Sequence, residues 1–498
     1  MERNQDFEEL MNYIRELVFP LLGLPQEEIE NASKQMEIVK EKENFESIRK
    51  FESLEFGRDN KTVYIDLQVS FGEIGIGKFL KIVFSNEINP DMFKLLSFLI
   101  CSYVEYGQKI TKDYIDNALI KERINELILQ KGLLSYLLDD NHFKNHRIDN
   151  LYKCLQRWSE KTYEGHNVCF GFLINPKSNA IHLESDSFDD FVDFIGEEYS
   201  AVFTDGITSV VEIDKNCNFI KYHSILHQKE IMPENYNDVK LPIRFAQIIY
   251  QNVIDGKIGV FLLTNGDIIA SQKQKITFVR RNGRWLNFSD KSFNDSIADN
   301  IKTINFDKNL LPGIYCSCLD ISFAHSGGLL AVVDENNELW QKDLNAEKPL
   351  VSESDLLNEN DFKDIKKTLE TFYEKELLRI NSDQTTSSSV KKGLIKDLKK
   401  KTTKKRFLLE ILKDNQYFLE IDRKLRADLS GLDGAIILNT EGKILACGAI
   451  IANSAGSSGG GRGSAARTLS KYGGFAIKIS TDGYIEAFYK EARIYSIK

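Results

Sequence analysis

The sequence predicts a multidomain α/β protein: a C-terminal α/β block with a central mixed sheet flanked by helices, preceded by α+β regions. Three observations predict it. The chain has 498 residues, more than one ordinary core accommodates, so two or three domains are expected. Short apolar runs of strand length, many bounded by Asp-Gly or Asn-Gly turns, recur from about residue 156 onward. Longer stretches with apolar residues at helical spacing separate them. Hydrophobic residues make up 42% of the chain and aromatic ones 11%, enough to fill such cores and too many for a disordered chain.

The elements follow in order. Phe7 to Leu22 and Lys112 to Leu138 carry apolar residues at helical spacing. Between them Thr62 to Val69 alternates like a half-buried strand, and Lys81-Ile82-Val83-Phe84 is a second strand. These make residues 1–155 an α+β region. From 156 to 239 strands dominate: Val168 to Ile174, Ala201-Val202-Phe203, Val210 to Ile213 and Phe219 to Tyr222. Asp205-Gly206 and Asp214-Lys215-Asn216 punctuate them, and a small antiparallel meander is expected. The third block, 240–498, opens with a helix over Ile243 to Val253. A buried strand, Ile258 to Leu263, then ends at the hairpin signal Asn265-Gly266. Gly328 to Val333 is another buried strand. A basic stretch, Lys391 to Arg406, reads as a solvated linker (about 381–406) with a helix face. Phe407 to Leu425 reads as a helix that delivers the chain to Asp433.

Composition narrows the function classes. A formal net charge of -9 gives no reason to expect a general nucleic-acid binder. No apolar run approaches the length of a membrane span, and the first residues lack the apolar core of a signal peptide. The seven cysteines are scattered. Only Cys316 and Cys318 are close, and a lone Cys-x-Cys pair, read here on a strand, is a poor metal or disulfide pair. Reduced thiols in a cytoplasmic protein are expected.

Chemistry concentrates in the last fifth of the chain. Asp433-Gly434-Ala435 opens the apolar run Ala435-Ile436-Ile437-Leu438. A glycine-saturated segment follows, Ser457 to Arg467, which includes Gly460, Gly461, Arg462, Gly463 and Ser464 and runs into a helix. Phe475 to Ile479 is the next strand, with Ser480-Thr481-Asp482-Gly483 as its turn. A carboxylate at a strand end beside a glycine–arginine loop suits phosphate and metal. Glycine lets backbone N–H groups close on an anion, and arginine presents a planar fork of donors to phosphate oxygens. Upstream, Ala324-His325-Ser326-Gly327-Gly328 precedes the strand ending at Val333. Each piece also has a plain structural reading: Asp-Gly is a common hairpin turn, a Gly-Ser run serves as a linker, and His325 can simply sit in a loop.

This order of motifs resembles the diadenylate cyclase family, most clearly over residues 429–489 and more weakly back to about 240. The resemblance implies condensation of two ATP molecules into cyclic di-AMP and pyrophosphate with Mg²⁺ or Mn²⁺. It implies that Asp433 serves the metal and the attacking 3′-hydroxyl, with Asp482 as a further metal ligand. Arg462 would hold phosphate. His325, Gly327, Gly328, Gly434, Ala435, Gly460, Gly461, Gly463 and Ser464 would line the nucleotide. The family's Gly-x-Arg-His-Arg-Ala-Ala motif is represented here by Gly460 to Ala466. Gly463 and Ser464 stand where its His-Arg pair would be. Because each half of the product needs its own nucleotide, a homodimer or higher homo-oligomer with facing Asp433 turns is expected. The N-terminal regions would then be regulatory. Two other readings stand beside this one: a catalytically silent nucleotide sensor on the same fold, and an interaction protein whose segment 391–406 contacts nucleic acid.

Overall fold

The protein is a mixed α/β chain, described from a computed structural model over residues 2–24, 26–39, 47–50, 55–58, 61–66, 79–85, 90–104, 118–139, 146–163, 165–178, 203–225, 239–301, 307, 309–334, 341, 351–352, 365–383, 386–412, 415–451 and 460–497. It divides into two compact units. The first comprises Met1–Met232 with Arg244–Ser292, and the second Pro233–Ile243 with Phe293–Lys498. No helix of the described residues is long and apolar enough to cross a membrane.

The first unit begins with helix α1 (Glu2–Tyr13), which continues through a wider π-turn and then a tighter 3₁₀ turn to Leu22, and α2 (Gln26–Lys34). Five antiparallel strands follow: β1 (Glu37–Val39), β2 (Ser47–Lys50), β3 (Glu55–Arg58), β4 (Thr62–Asp66) and β5 (Phe79–Val83), in the order β1-β5-β4-β3-β2. Helices α3 (Pro90–Ser102), α4 (Ala118–Leu138) and α5 (His146–Ser159) come next, then the small hairpin β6 (Thr162–Tyr163) and β7 (His166–Asn167). Helix α3 is buried from Met92 to Ser102 except at Lys94, as expected of a segment apolar on nearly every side.

A second sheet is built from β8 (Phe170–Asn175), β9 (Ser209–Asp214), β10 (Phe219–Ser224), β11 (Ile258–Leu262), β12 (Ile268–Gln272), β13 (Lys275–Arg281) and β14 (Arg284–Asn287). Its order is β10-β9-β8-β11-β12-β13-β14. Helix α6 (Ile243–Asn252) leads into β11. Every residue of β11 is buried, which explains its unbroken apolar run. Three expectations are corrected here. The Ile258 strand pairs with β8, Ile258 opposite Ile174, so it belongs to the first unit and not to a block starting at 240. The strands from 156 to 239 are part of that same sheet and form no separate region. And β8 and β9 run parallel, so no simple meander joins them. The expected strand at Ala201-Val202 lies outside the described residues.

One buried carboxylate ties three strands of this sheet. Glu212, 2% exposed, accepts from Asn175 Nδ2 at 2.7 Å and Lys257 Nζ at 3.0 Å, and pairs with His223 Nε2 at 2.5 Å. Burial pushes the carboxyl upward, but the bonds from Asn175, His223 and Lys257 outweigh it and hold it at about 2. Burial also lowers His223 against the pull of Glu212. A depressed carboxyl contributes stability above its unfolded pKa and loses it as pH falls toward the folded one. A depressed imidazole adds a further penalty once the pH drops below its ordinary value. The first unit should therefore lose thermal stability progressively below about pH 6.5. Glu212→Gln should flatten the part of that loss between pH 4.5 and about 2, as read by calorimetry across pH.

The second unit carries α7 (Asp290–Asn300), which starts in the first, then α8 (Leu310–Ala324), β15 (Gly328–Val332), β16 (Val351–Ser352), α9 (Ile365–Ser382), α10 (Ser388–Leu412), α11 (Arg423–Ser430), β17 (Ala435–Leu438), β18 (Ile444–Ala449), α12 (Gly460–Leu469), β19 (Phe475–Ile479), β20 (Ile485–Tyr489) and β21 (Ala492–Ile497). Its sheet has the order β16-β18-β17-β15-β19-β20-β21. Among its described strands only β15 and β17 pair in parallel; the other pairings are antiparallel. This is the mixed, helix-flanked sheet expected of the C-terminal block.

Three further readings change. Cys316 and Cys318 lie on α8, a helix, where both are buried. The basic segment is no linker: it forms most of α10, which pairs with α9 as a helical hairpin. The expected helix from Phe407 to Leu425 breaks after Leu412. The chain restarts at Asp422, whose carboxylate caps α11 by accepting from Lys424 N at 3.0 Å and Leu425 N at 3.3 Å.

Candidate nucleotide site at one sheet edge

The predicted pieces converge because of strand direction. Leu330 lies opposite Ile436 in the parallel pair; carrying that register back sets Gly328 beside Gly434 and Gly327 beside Asp433. Gly328 also lies opposite Ile479 at the end of β19, and Ala435 opposite Ala449 at the end of β18. The starts of β15 and β17 and the ends of β18 and β19 thus share one edge. Helix α12 packs over β15, β19 and β20. Small residues on both sides, Ala465 and Ala466 against Ala331, Ala435 and Ala476, make a close-fitting core beneath it with Leu469 and Phe488.

Arg462, in the first turn of α12, reaches that edge. A Cβ built on Gly327 would stand 2.5 Å from Arg462 Nη1 and 3.3 Å from Thr481 Cγ2. Guanidinium, glycine and the β19–β20 turn therefore crowd one small volume. Gly327 also has φ of +66°, which favours glycine there, and any added side chain would have to displace the Arg462 guanidinium. At Gly434, φ is +104°, and a Cβ would meet the carbonyl carbon of Gly448 at 2.5 Å. The Asp433-Gly434 turn is pressed against the end of β18, and the Asp433 carboxylate is left exposed.

The other predicted residues are placed as follows. His325 is the left-handed C-cap of α8, with φ of 52° and its N–H directed to Ser322 O. It ends that helix and turns the chain toward Gly327. Gly328 is buried against Ser430 O. Ala435 packs in the core beneath α12. Gly460 and Gly461 are exposed at the start of α12, whereas Gly463 and Ser464 are buried. Asp482 is exposed, next to Thr481. Residues 452–459, including the Ser457-Ser458-Gly459 part of the glycine segment, lie outside the described residues.

Sequence reasoning missed a second cation. Lys478 of β19 lies under Gly463, its Nζ 3.8 Å from where a Cβ would be. Glu486 holds it at 2.9 Å and also binds Arg493 at 3.2 Å, so the trio keeps a net positive charge close to the first turns of α12. The signal was available: Lys478 interrupts the otherwise apolar run from Phe475 to Ile479.

Among the described residues no three of His, Cys, Asp and Glu gather as a metal-ligating group. Mg²⁺ is commonly held by one or two carboxylates with substrate phosphates and water. The exposed Asp433 fits a cation that arrives with phosphate, not a resident ion in a protein cage. Cys447 on β18 offers no nucleophile, because burial pushes its thiol up to about 12.

Behind this edge stands a buried ionic cluster that the sequence reading passed over. Arg423, 2% exposed, donates from Nε to Asp320 at 2.6 Å. Its other nitrogens bind Val239 O at 2.6 Å, Leu241 O at 2.5 Å and Cys316 O at 3.2 Å. Asp320 in turn accepts from Ile243 N at 2.8 Å. Burial pushes Asp320 up despite Arg423. Burial and the neighbouring Arg423 pull Arg426 down to about 10, where it stays charged at neutral pH and lies over the Phe418 ring.

In comparisons with known proteins, no family model matches the chain, and no curated protein or solved structure matches it.

Proposed function

We propose that the C-terminal unit is a diadenylate cyclase, joining two ATP molecules into cyclic di-AMP with release of pyrophosphate. The observation that carries this reading is the meeting of Arg462 with Gly327 and the Thr481 turn, at the edge where the Asp433-Gly434 turn begins β17. Arg462, Lys478 and the N-terminus of α12 offset the charge of the phosphates and of the leaving pyrophosphate. Asp433 accepts the proton of the attacking 3′-hydroxyl and, with the phosphates, holds Mg²⁺ or Mn²⁺. When bound, that cation stabilises negative charge on the reacting phosphate. Asp482 is a second carboxylate for the same cation. Two such sites must face each other, so the active form is a homodimer or larger homo-oligomer with the Asp433 turns at the interface. The first unit regulates that meeting, in a cytoplasmic protein.

A silent nucleotide sensor is the second reading, favoured by Gly463 and Ser464, which are buried and replace the His-Arg pair of the resembled motif. One assay separates the two. Purified protein incubated with ATP and Mn²⁺ should yield cyclic di-AMP by mass spectrometry, and Asp433→Asn should reduce it below detection while ATP binding persists. ATP binding without product in the wild type supports the sensor, and absence of ATP binding overturns both.

A further inference from the structure

Helix α10 carries eight lysines and Arg406 against Asp397 and Glu410, in a chain whose net charge is -9. These cations fall into distinct sets, apart from Lys391, which donates to Asn381 O, and Lys401, which has a partner of its own. Lys405 is buried over the Phe372 ring. Lys399 and Arg406 line a groove with Glu370, Glu374 and Glu410, where acidic groups are at hand. Lys392, Lys396, Lys400 and Lys404 differ: all are exposed, spaced every four residues, and none has an ion-pair partner among the described residues. Like charges four apart on a helix repel and destabilise it. A chain that keeps such a row, about 18 Å long, breaks a local rule with no compensating ion pair among the described residues.

We infer that this row is a docking surface for the phosphate backbone of a nucleic acid. The partner must be a polyanion with regularly repeated charge, because the row is a linear series of single ammonium groups. An anionic membrane fits less well. A helix that lies on lipid inserts its apolar face, and here Leu398, Leu408, Leu409 and Leu412 are covered. Val390 and Leu394 are exposed, but two residues near the start of α10 do not make a continuous apolar face to insert. Phe407, 66% exposed and three residues beyond Lys404, supplies a ring on which an unpaired base can stack. This surface is independent of the edge that holds Arg462 and Asp433, so it stands or falls apart from the cyclase reading.

The test uses the full chain and fluorescein-labelled duplex DNA and single-stranded RNA, with anisotropy measured between about 50 and 200 mM salt. Replacing Lys392, Lys396, Lys400 and Lys404 together by Gln should weaken binding at least tenfold. It should also reduce the log–log salt slope for duplex by about 3–4, the value for four phosphate contacts. The variant should melt at or above the wild-type temperature, because a repulsion is relieved. A control with Lys215, Lys273, Lys275 and Lys424 changed to Gln alters net charge equally and should bind like wild type. Absence of saturable binding at low salt overturns the proposal. So does equal weakening by both variants, or binding to phosphatidylserine vesicles with indifference to both nucleic acids.

Discussion

Arg423→Ala should destabilise the C-terminal unit by about 3–5 kcal/mol, the usual result of removing one partner from a buried ion pair. The reason lies in what is left behind. Asp320, 6% exposed overall, would keep the backbone bond from Ile243 N and the charge of Arg426 to offset its own, but would lose its direct ion pair. The carbonyls of Val239, Leu241 and Cys316 would lose their donor at the same time. Segment 239–243 is tied into this unit by those bonds, so its amide protection should fall first. For a unit of this size the loss corresponds to a drop in melting temperature of roughly 10 °C. Calorimetry and hydrogen exchange read both effects. The pair Arg423→Met with Asp320→Leu should cost less than either single change, because it removes both charges together and keeps apolar volume. If Arg423→Ala melts within about 2 °C of wild type, the cluster does not anchor the unit.

That cluster shows where the sequence was readable and where it was not. Ile258 to Leu262, Ala435 to Leu438 and Phe475 to Ile479 are buried throughout or nearly so. Continuous apolar runs of strand length are what such strands require. Their partners were not readable, because pairing is non-local. The apolar character of Ile258 to Leu262 is equally compatible with either sheet, and only the fold shows it beside β8. Helix α8 was missed for the opposite reason. Buried from Gly313 to Phe323, it lacks the polar stripe that gives helices away, and its Cys316-Ser317-Cys318 alternation imitates a strand. The break before α11 did have a signal, the capping Asp422.

The candidate site was legible to a different degree at each residue. Gly327, Gly434 and Arg462 were singled out for chemistry, and each proves geometrically constrained: the two glycines by close approach and positive φ, Arg462 by lying against Gly327. His325 and Ala435 have sufficient structural reasons for being there, as helix C-cap and core residue. Lys478 escaped because its neighbourhood depends on α12 crossing β19, a tertiary fact that spacing along the chain does not encode.

On the cyclase reading, Arg462→Ala should lower the rate of cyclic di-AMP formation by about 10²–10³-fold, the range for loss of one preorganised donor to developing negative charge. The side chain is half-buried at the first turn of α12 and is not part of the Ala465, Ala466 and Leu469 core beneath it, so its removal leaves that core in place. The melting temperature should stay within about 2 °C of wild type, as for surface changes of a few tenths of a kcal/mol. Arg462→Lys should recover only part of the rate, because a point charge cannot reproduce a planar fork on phosphate. Gly327→Ala provides an independent route to the same loss. The methyl group would occupy the guanidinium position without removing the charge, so the rate should fall although Arg462 is still present. A further loss of stability of about 1 kcal/mol should accompany it, from the left-handed backbone. If Arg462→Ala and Gly327→Ala both turn over ATP at the wild-type rate, phosphate is not held at this edge. If the first fails and the second does not, Arg462 reaches the nucleotide from a position clear of Gly327.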